Sequence, residues 1–365
     1  MKKFRKLVIV AIIVLLILLA GLMAFDSSKI VVNEHKGNAS IAVTGDVMFA
    51  RNMEGILSSG ENPFVNVVNV TSKTDLLLIN FENAATTSEN AVKGDVPLKT
   101  SPSFVYLARN NPNTIASLAN NHAFDYGIDG MHDTIKNLEK NNITPIGAGD
   151  NVDEAHKGVT KEINGRNITI FNFMDSENFA EYSNEVMPVA TSDSPGYSAY
   201  NSSVCKDIKE AHENSDCVIV FFHYGNEYST SPNENQVKMS HEVIDAGADI
   251  VLGSHPHVPQ GMEFYNGSMI FYSLGNFIFD QKNPDTHVAY FVEINLVNET
   301  VECTVHPICI VNYLPQFMSP DNGKSLLESL SPSCDKLIIE DDGTGRVSYN
   351  LTDYELKLNS SFIKS

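Results

Sequence analysis

The sequence predicts an α/β fold, with a largely parallel or mixed β-sheet in a domain that follows an N-terminal transmembrane helix. Three observations lead to this fold class. Five short apolar runs each stop at a polar or charged residue, as buried strands do at a sheet edge. Amphipathic helical patterns lie between these runs, and strands that alternate with helices indicate an α/β domain. The first 25 of the 365 residues are basic and then continuously apolar.

The N-terminus is typical of a membrane signal. Four basic side chains within Met1–Lys6 precede Leu7–Phe25, a run of nineteen residues without a charge. A helix of that length spans about 30 Å, which is the thickness of a bilayer core. Because basic residues stay in the cytoplasm, we expect a single-pass protein of the cell membrane whose C-terminal domain is extracytoplasmic. A cleaved signal peptide is the alternative interpretation.

The same patterns divide the chain into four segments. Residues 1–25 are the predicted membrane anchor, and the polar residues 26–38 are a short tether. Residues 39–318 contain the predicted strands and helices of the main domain. Residues 319–365 form a C-terminal extension, which the sequence leaves open as a helix, a hairpin or a loose tail.

Five apolar runs are the first candidate strands of the main domain. They are Ser40–Gly45, Asp75–Asn80, Thr114–Leu118, Cys217–Phe222 and Ala248–Leu252. Helical spacing of apolar residues predicts helices over Ile128–Asn141 and Glu234–Ala246, the second of which Gly247 would end. Three later runs, Met269–Tyr272, His287–Leu296 and Val301–Val311, have no helix between them. These later runs predict a second, more antiparallel sheet.

Composition excludes two classes of function. The net charge is −20, and phosphate backbones are bound by clustered Lys and Arg, so the sequence argues against a nucleic-acid partner. Five cysteines occur without a Cys-x-x-Cys pair, which argues against a structural zinc finger. We interpret these cysteines as buried thiols or as one incidental disulfide.

The ends of the five strands carry the candidate chemistry. Each run is followed by a side chain that can bind a metal: Asp46, Glu82, Asn121, His223, and His255 with His257. Because ligands bind at the carboxyl ends of strands in open α/β sheets, these side chains are expected to converge. Carboxylates, an amide and imidazoles suit Mn, Fe, Zn or Mg.

Each of these features alone has an ordinary structural explanation. A Gly-Asp pair after a strand is usually a turn, and a lone buried His is usually a core residue. The two imidazoles of His255-Pro256-His257 are a sharper signal, because alternate residues of an extended segment point the same way. Five strand ends in succession favour a site for one or two divalent metal ions.

Seven motifs in order resemble the CapA family of poly-γ-glutamate capsule synthesis proteins. They are Ala42–Met48, Leu78–Glu82, Leu118–His122, Phe124–Gly127, His223–Glu227, Gly247–His257 and Tyr272–Phe279. The resemblance implies a calcineurin-like metallophosphoesterase sandwich, with two mixed β-sheets flanked by helices. It also implies an anionic envelope polymer or a phosphoester as substrate, and other capsule-synthesis membrane subunits as partners.

The resemblance also implies roles for individual residues. Asp46 and His257 would hold one metal, and Glu82 would bridge it to the second. Asn121, His223 and His255 would complete the second metal. His122 matches the residue that stabilises or protonates the leaving group.

Three positions depart from the phosphoesterase pattern. Met48 stands where that pattern has a histidine, so the first metal lacks an imidazole. Glu82 replaces an aspartate and is one methylene longer. Ala123 stands where an aspartate often follows His122, and Asp125 lies close enough in the chain to substitute.

Two further residues are candidates for substrate contact. Arg51 follows Asp46 by five residues and could clamp a phosphate or carboxylate, although a surface arginine is an equal alternative. Glu227 could orient a ligand imidazole or act as a base.

Three functions remain open from the sequence. The first is a metal-dependent hydrolase outside the membrane, acting on a phosphoester or an envelope polymer. The second is a non-catalytic assembly factor that binds an anionic polymer, and the third is an amidase with a single metal. Met48 favours the second function, whereas His122 and the paired His255 and His257 favour the first.

Overall fold

The computed structural model describes residues 36–94, 96–180, 182–332 and 334–351. The predicted anchor at Leu7–Phe25 lies outside the described residues, as do residues 352–365. Within the described part of the chain, no helix is both long enough and apolar enough to cross a membrane.

The described chain contains twenty strands and seven α-helices. The strands are β1 (Ala39–Val47), β2 (Leu76–Phe81), β3 (Ala84–Ala85), β4 (Lys99–Thr100), β5 (Thr114–Ser117), β6 (Ile143–Ile146), β7 (Ala148–Gly149), β8 (Val159–Ile163), β9 (Arg166–Met174), β10 (Gly196–Tyr197), β11 (Cys217–His223), β12 (Ile250–Ser254), β13 (Met262–Tyr265), β14 (Ser268–Phe271), β15 (Asn276–Ile278), β16 (Val288–Val297), β17 (Thr300–Val311), β18 (Leu314–Phe317), β19 (Ile338–Ile339) and β20 (Gly345–Asn350). The helices are α1 (Met53–Ser58), α2 (Val68–Thr71), α3 (Gly127–Lys140), α4 (Val152–His156), α5 (Val204–Asn214), α6 (Glu234–Asp245) and α7 (Pro320–Leu330), and 3₁₀ turns span Pro102–Ala108, Ser176–Phe179 and Pro284–His287.

Two mixed sheets organise these elements. The larger sheet has ten strands in the order β19-β20-β17-β16-β1-β2-β5-β6, with β15 paired to β1 and β18 paired to β17. The smaller sheet has six strands in the order β13-β14-β12-β11-β9-β8. Strands β1, β2, β5 and β6 run parallel, as do β9, β11, β12 and β14. The carboxyl ends of each parallel set therefore lie together at one edge of its sheet.

The hydrophobic clusters define four layers. One cluster joins the two sheets face to face, with Ile41 of β1 and Phe221 of β11 among its fully buried residues. On the outer face of the larger sheet, Leu57 of α1 and Leu138 of α3 belong to a second cluster. On the outer face of the smaller sheet, a third cluster includes Ile208 of α5. The two sheets are thus a sandwich with helices on both outer faces, which confirms the predicted mixed α/β sheets flanked by helices.

The five first apolar runs all form strands, as β1, β2, β5, β11 and β12. The prediction that the later runs build a second, more antiparallel sheet is wrong. Strands β16 and β17 join the larger sheet, where β16 pairs with β1 in antiparallel register and β17 follows it. Strand β14 instead pairs parallel to β12 in the smaller sheet. β1 is buried almost throughout and has β2 on one side, so its other edge needs the partner that β16 supplies.

The described residues of the segment 319–351 are folded onto this domain. Between residues 319 and 351, helix α7 and strands β19 and β20 form a helix followed by a hairpin, two of the three alternatives that the sequence left open. β20 pairs with β17, and its Val347 and Tyr349 join Leu327 of α7 in the cluster between the sheets.

Candidate metal centre

Three of the strand-end residues lie together at the bottom of the site. Asp46 is the penultimate residue of β1, Glu82 directly follows β2, and His223 ends β11. One potential ligand atom from each lies within 4.8 Å of the other two, and all three residues are fully buried. The two sheets therefore contribute to one cluster, because each presents the carboxyl ends of its parallel strands there.

Gly45 places Asp46 by allowing two backbones to approach closely. A Cβ atom at Gly45 would lie 1.8 Å from the carbonyl oxygen of Gly275, a distance that no side chain tolerates. The Asp46 amide donates to that same carbonyl at 3.1 Å, and β1 continues to Val47. The Gly-Asp pair therefore lies within strand β1, where glycine allows the strand to pack against the Gly275 backbone, and it does not form a turn.

Asn80 holds the two carboxylates and was missed by the sequence analysis. Its amide nitrogen lies 2.8 Å from Asp46 Oδ1, 3.1 Å from Glu82 Oε2 and 3.3 Å from His223 Nδ1. A signal for it existed, because Asn80 on β2 lies two residues before Glu82, and alternate residues of an extended segment share a face.

Several buried ligand atoms in this cluster lack a hydrogen bond. Asp46 Oδ2, Glu82 Oε1 and His255 Nδ1 have no hydrogen-bond partner among the described residues. His257 Nδ1 lies 3.1 Å from Asp46 Oδ2, but it also lies 2.9 Å from Asn276 Oδ1, which orients this ring. A buried polar atom without a partner costs about 1–3 kcal/mol, and Asp46 and Glu82 also place ligand atoms within 4.8 Å of one of His223, so their unpaired oxygens fit a divalent cation.

The ionisation of two imidazoles of the cluster also fits a cation. Burial raises the pKa of Glu82 well above its ordinary value, and the neighbouring Asp46 carboxylate raises it further. Burial lowers the pKa of His223 and of His255 well below the usual value, so both rings are neutral near pH 7. Neutral imidazole is the form that binds a metal.

His255 and His257 face the cluster, but not for the predicted reason. Their φ angles are +99° and +60°, so the segment is not extended, and the argument from strand alternation is wrong here. Their ring centroids are 6.0 Å apart, and the His255 ring lies 4.7 Å from the His223 ring. Left-handed backbone at non-glycine residues is costly, and such residues cluster at functional sites.

Asn121 lies beside His223, with its Oδ1 atom 2.9 Å from His223 Nε2. The other ring nitrogen of His223 lies 3.1 Å from Ser254 Oγ. The side chains that orient the imidazoles are therefore Ser254 and Asn276, neither of which the sequence singled out for this role. Glu227 is exposed and lines the cavity above the cluster.

His122 and Asp125 form a buried pair next to Asn121. His122 Nδ1 lies 2.7 Å from Asp125 Oδ2, which also accepts from the Leu98 amide at 2.6 Å. Burial lowers the pKa of His122, and the Asp125 carboxylate offsets part of this effect. The pairing assigns the proton of the neutral ring to Nδ1, so that Nε2 is the nitrogen left for chemistry.

A cavity of about 500 Å³ opens above the cluster. Its walls include cations, acids and aromatic rings: Arg51, Lys93, Asn121, His122, Tyr182, Glu227, Tyr228, His257, Phe279, Asp280 and Lys282. Arg51 forms an ion pair with Asp280, so its guanidinium already has a carboxylate partner.

Met48 is fully buried and its sulfur accepts from the Ala50 amide at 2.9 Å, so it packs in the core.

Known proteins resemble this chain over most of its length. Residues 40–281 match the family described as bacterial capsule synthesis protein PGA_cap. The PGA biosynthesis protein CapA of Bacillus subtilis (strain 168) is 33% identical over 334 residues, covering 88% of this chain and 86% of that protein. The capsule biosynthesis protein CapA of Bacillus anthracis is 31% identical over 324 residues, covering 86% of this chain and 78% of that protein. A solved hypothetical protein from Thermus thermophilus aligns with 76% of this chain and 95% of its own, at 16% identity and a TM-score of 0.44.

Proposed function

Because this chain belongs to the bacterial capsule synthesis protein PGA_cap family, we propose that it contributes to making a poly-γ-glutamate-type capsule polymer through a divalent-metal site. The family match confirms the resemblance to CapA proteins predicted from the motifs, and both CapA relatives are named for capsule or PGA biosynthesis. The reaction proposed for the site is hydrolysis of an anionic substrate, either a phosphoester or the polymer itself.

The observation that carries this proposal is the set of buried ligand atoms without hydrogen bonds. Among the described residues, Asp46 Oδ2, Glu82 Oε1 and His255 Nδ1 lack such partners, and Asp46 and Glu82 place ligand atoms within 4.8 Å of one of His223. A purely structural core would pair such atoms, because an unpaired buried carboxylate destabilises the fold. Mn, Fe, Zn and Mg all accept this mixture of oxygen and nitrogen ligands.

The residues of the chain divide the work of such a site. Asp46, Glu82, His223, His255 and His257 would hold the one or two ions, with Asn121 beside them. A bound divalent ion acts as a Lewis acid and lowers the pKa of water. His122 moves a proton at Nε2, and Asp125 fixes the ring through Nδ1.

The first test of the proposal is metal content. Elemental analysis of the purified full-length protein is expected to find one or two equivalents of a divalent metal, and both His255→Ala and His257→Ala are expected to lose metal. His241→Ala is the matched control, because His241 also pairs with a carboxylate, that of Glu263 at 3.1 Å, but lies outside the cavity. Equal metal content in the wild type and in both site variants would remove the metal from the proposal.

We further propose that Leu7–Phe25 anchors the protein in the cell membrane with its main domain outside. The basic residues before an uninterrupted apolar run support this topology. The test is a tag at Ser365 in intact cells treated with protease. Loss of the tag is expected, and protection of the tag contradicts an external domain.

A non-catalytic assembly factor is the second candidate. Met48 favours it, because its sulfur is bound to the Ala50 amide in the core and offers the cluster no imidazole. A protein that binds metal and polymer but shows no turnover on either substrate class would support this candidate.

A further inference from the structure

Lys93 lines the cavity beside His122, on an irregular segment that carries no sequence motif. Its side chain is only 4% exposed. The ammonium donates to the backbone carbonyl of Asn121 at 3.0 Å and lies 5.2 Å from the centre of the Tyr182 ring. The positive charge is therefore placed next to the candidate metal ligands and faces the same cavity.

Lys93 forms a buried ion pair with Asp125 that leaves part of its hydrogen-bonding capacity unused. The carboxylate oxygen Asp125 Oδ1 lies 3.6 Å from Lys93 Nζ, which is beyond hydrogen-bond distance, and it has no hydrogen-bond partner in the described part of the chain. His122 Nδ1 lies 3.5 Å from Nζ but is already paired with Asp125 Oδ2 at 2.7 Å. The ammonium has three donors, and the Asn121 carbonyl accepts from one of them at 3.0 Å, so an anionic oxygen in the cavity could accept a hydrogen bond that the Asp125 oxygen is too distant to take.

The other two cations on the cavity wall differ from Lys93 in their carboxylate partner or in their exposure to water. Arg51 is neutralised by its ion pair with Asp280. Lys282 is exposed, and water screens its charge. Of the three cations, Lys93 is the one that is buried and has no carboxylate within hydrogen-bond distance among the described residues.

We propose that Lys93 binds an anionic oxygen of the substrate, from a phosphoryl or a carboxylate group, next to His122. This assignment rests on the proposed function, since it names the residue that recognises the charge of that site's substrate. An ammonium has three donors and acts as a point charge, so it accepts either anion. The low dielectric of a buried site strengthens the contact.

The test compares phosphate binding by the full-length wild type and Lys93→Met, using isothermal titration calorimetry. Loss of one charge-assisted hydrogen bond is expected to weaken phosphate binding about ten- to hundredfold. The matched control is Lys99→Met, because Lys99 also lies over an aromatic ring, that of Tyr126 at 5.1 Å, but does not line the cavity. Lys99→Met is expected to bind phosphate like the wild type. Acetate titrations form the second arm and distinguish a phosphoryl from a carboxylate preference.

The outcomes separate this inference from the metal proposal. Unchanged affinity of Lys93→Met for both phosphate and acetate, at wild-type metal content, overturns the role of Lys93. Absence of metal from the wild type overturns the proposed function. The difference in phosphate affinity between the wild type and Lys93→Met still tests the role of Lys93 in that case. If Lys93→Met does not fold, reductive methylation of the wild type replaces it: phosphate is expected to slow labelling of Lys93 but not of Lys99. Equal labelling of Lys93 with and without phosphate contradicts the proposal.

Discussion

Turnover of the His122→Ala variant is expected to fall about 10²–10⁴-fold, the usual contribution of a positioned acid–base group, while its metal content stays at the wild-type level. Asp125 holds His122 Nδ1 at 2.7 Å, and this fixes the ring with its other nitrogen available to the cavity. The measurement is kcat on a generic phosphodiester and on poly-γ-glutamate, with elemental analysis of the same samples.

The control for this variant is a second histidine–aspartate pair outside the site. His132 Nε2 lies 2.6 Å from Asp150 Oδ1, with both side chains about half exposed or more, at 47% and 66%. His132→Ala removes the same kind of pair and is expected to leave kcat unchanged. A kcat for His122→Ala within about threefold of the wild type would exclude His122 from proton transfer.

Glu82→Gln is expected to abolish stoichiometric metal binding and to stabilise the metal-free protein at pH 8. Burial and the Asp46 carboxylate raise the pKa of Glu82 in the folded state, so an ionised Glu82 opposes folding in the absence of metal. Glutamine removes that charge, and its oxygen can still accept from Asn80. The expected gain is about 1–3 kcal/mol, measured by thermal unfolding of chelator-treated samples.

The gain in stability of the metal-free Glu82→Gln variant is expected to depend on pH. In the metal-free wild type, the unfavourable charge of Glu82 is present above its raised folded pKa and vanishes as pH falls toward its ordinary, unfolded value. The advantage of Glu82→Gln is therefore largest at alkaline pH and shrinks on acidification.

Glu293 provides a control of opposite sign. Its hydrogen bond with His306, at 3.2 Å, lowers the pKa of Glu293, so its carboxylate stabilises the fold above the unfolded pKa. Glu293→Gln is therefore expected to destabilise the protein at pH 8. A Glu82→Gln variant that is less stable than the metal-free wild type at pH 8 contradicts the expected repulsion.

Much of the architecture could be predicted because it depends on local patterns. The first five apolar runs are short and end in polar residues, and each forms a strand whose end faces the site. Sheet membership could not be predicted in the same way, because β16 looks the same whether it pairs with β1 or with a separate sheet. The sheet that β16 joins depends on the edge of β1 that β2 leaves unpaired in the folded protein. The local sequence of β16 carries no information about that edge.

The site shows the same division between local and non-local information. Asp46, Glu82 and His223 lie at strand ends and could be predicted to converge. Lys93 could not, because it lies on an irregular segment and is brought to the site by hydrogen bonds from the Val92 and Lys93 amides to the Asp125 carbonyl. The geometry of His255 and His257 also escaped prediction, since positive φ angles at histidine have no sequence signature.

The position of β1 in the larger sheet has a consequence for the order of events during synthesis. β1 is the first strand of the described domain to leave the ribosome, yet one of its two long edges pairs with β16, which is made near the end of the chain. Contacts between such distant segments form slowly, and an unpaired strand edge exposed meanwhile invites aggregation. Asp46 lies on β1 and His257 follows β12. In any nascent chain that stops before β16, the sheet that carries Asp46 is still incomplete when it faces His257. This topology would therefore make binding of the proposed ion a late step in the maturation of this protein.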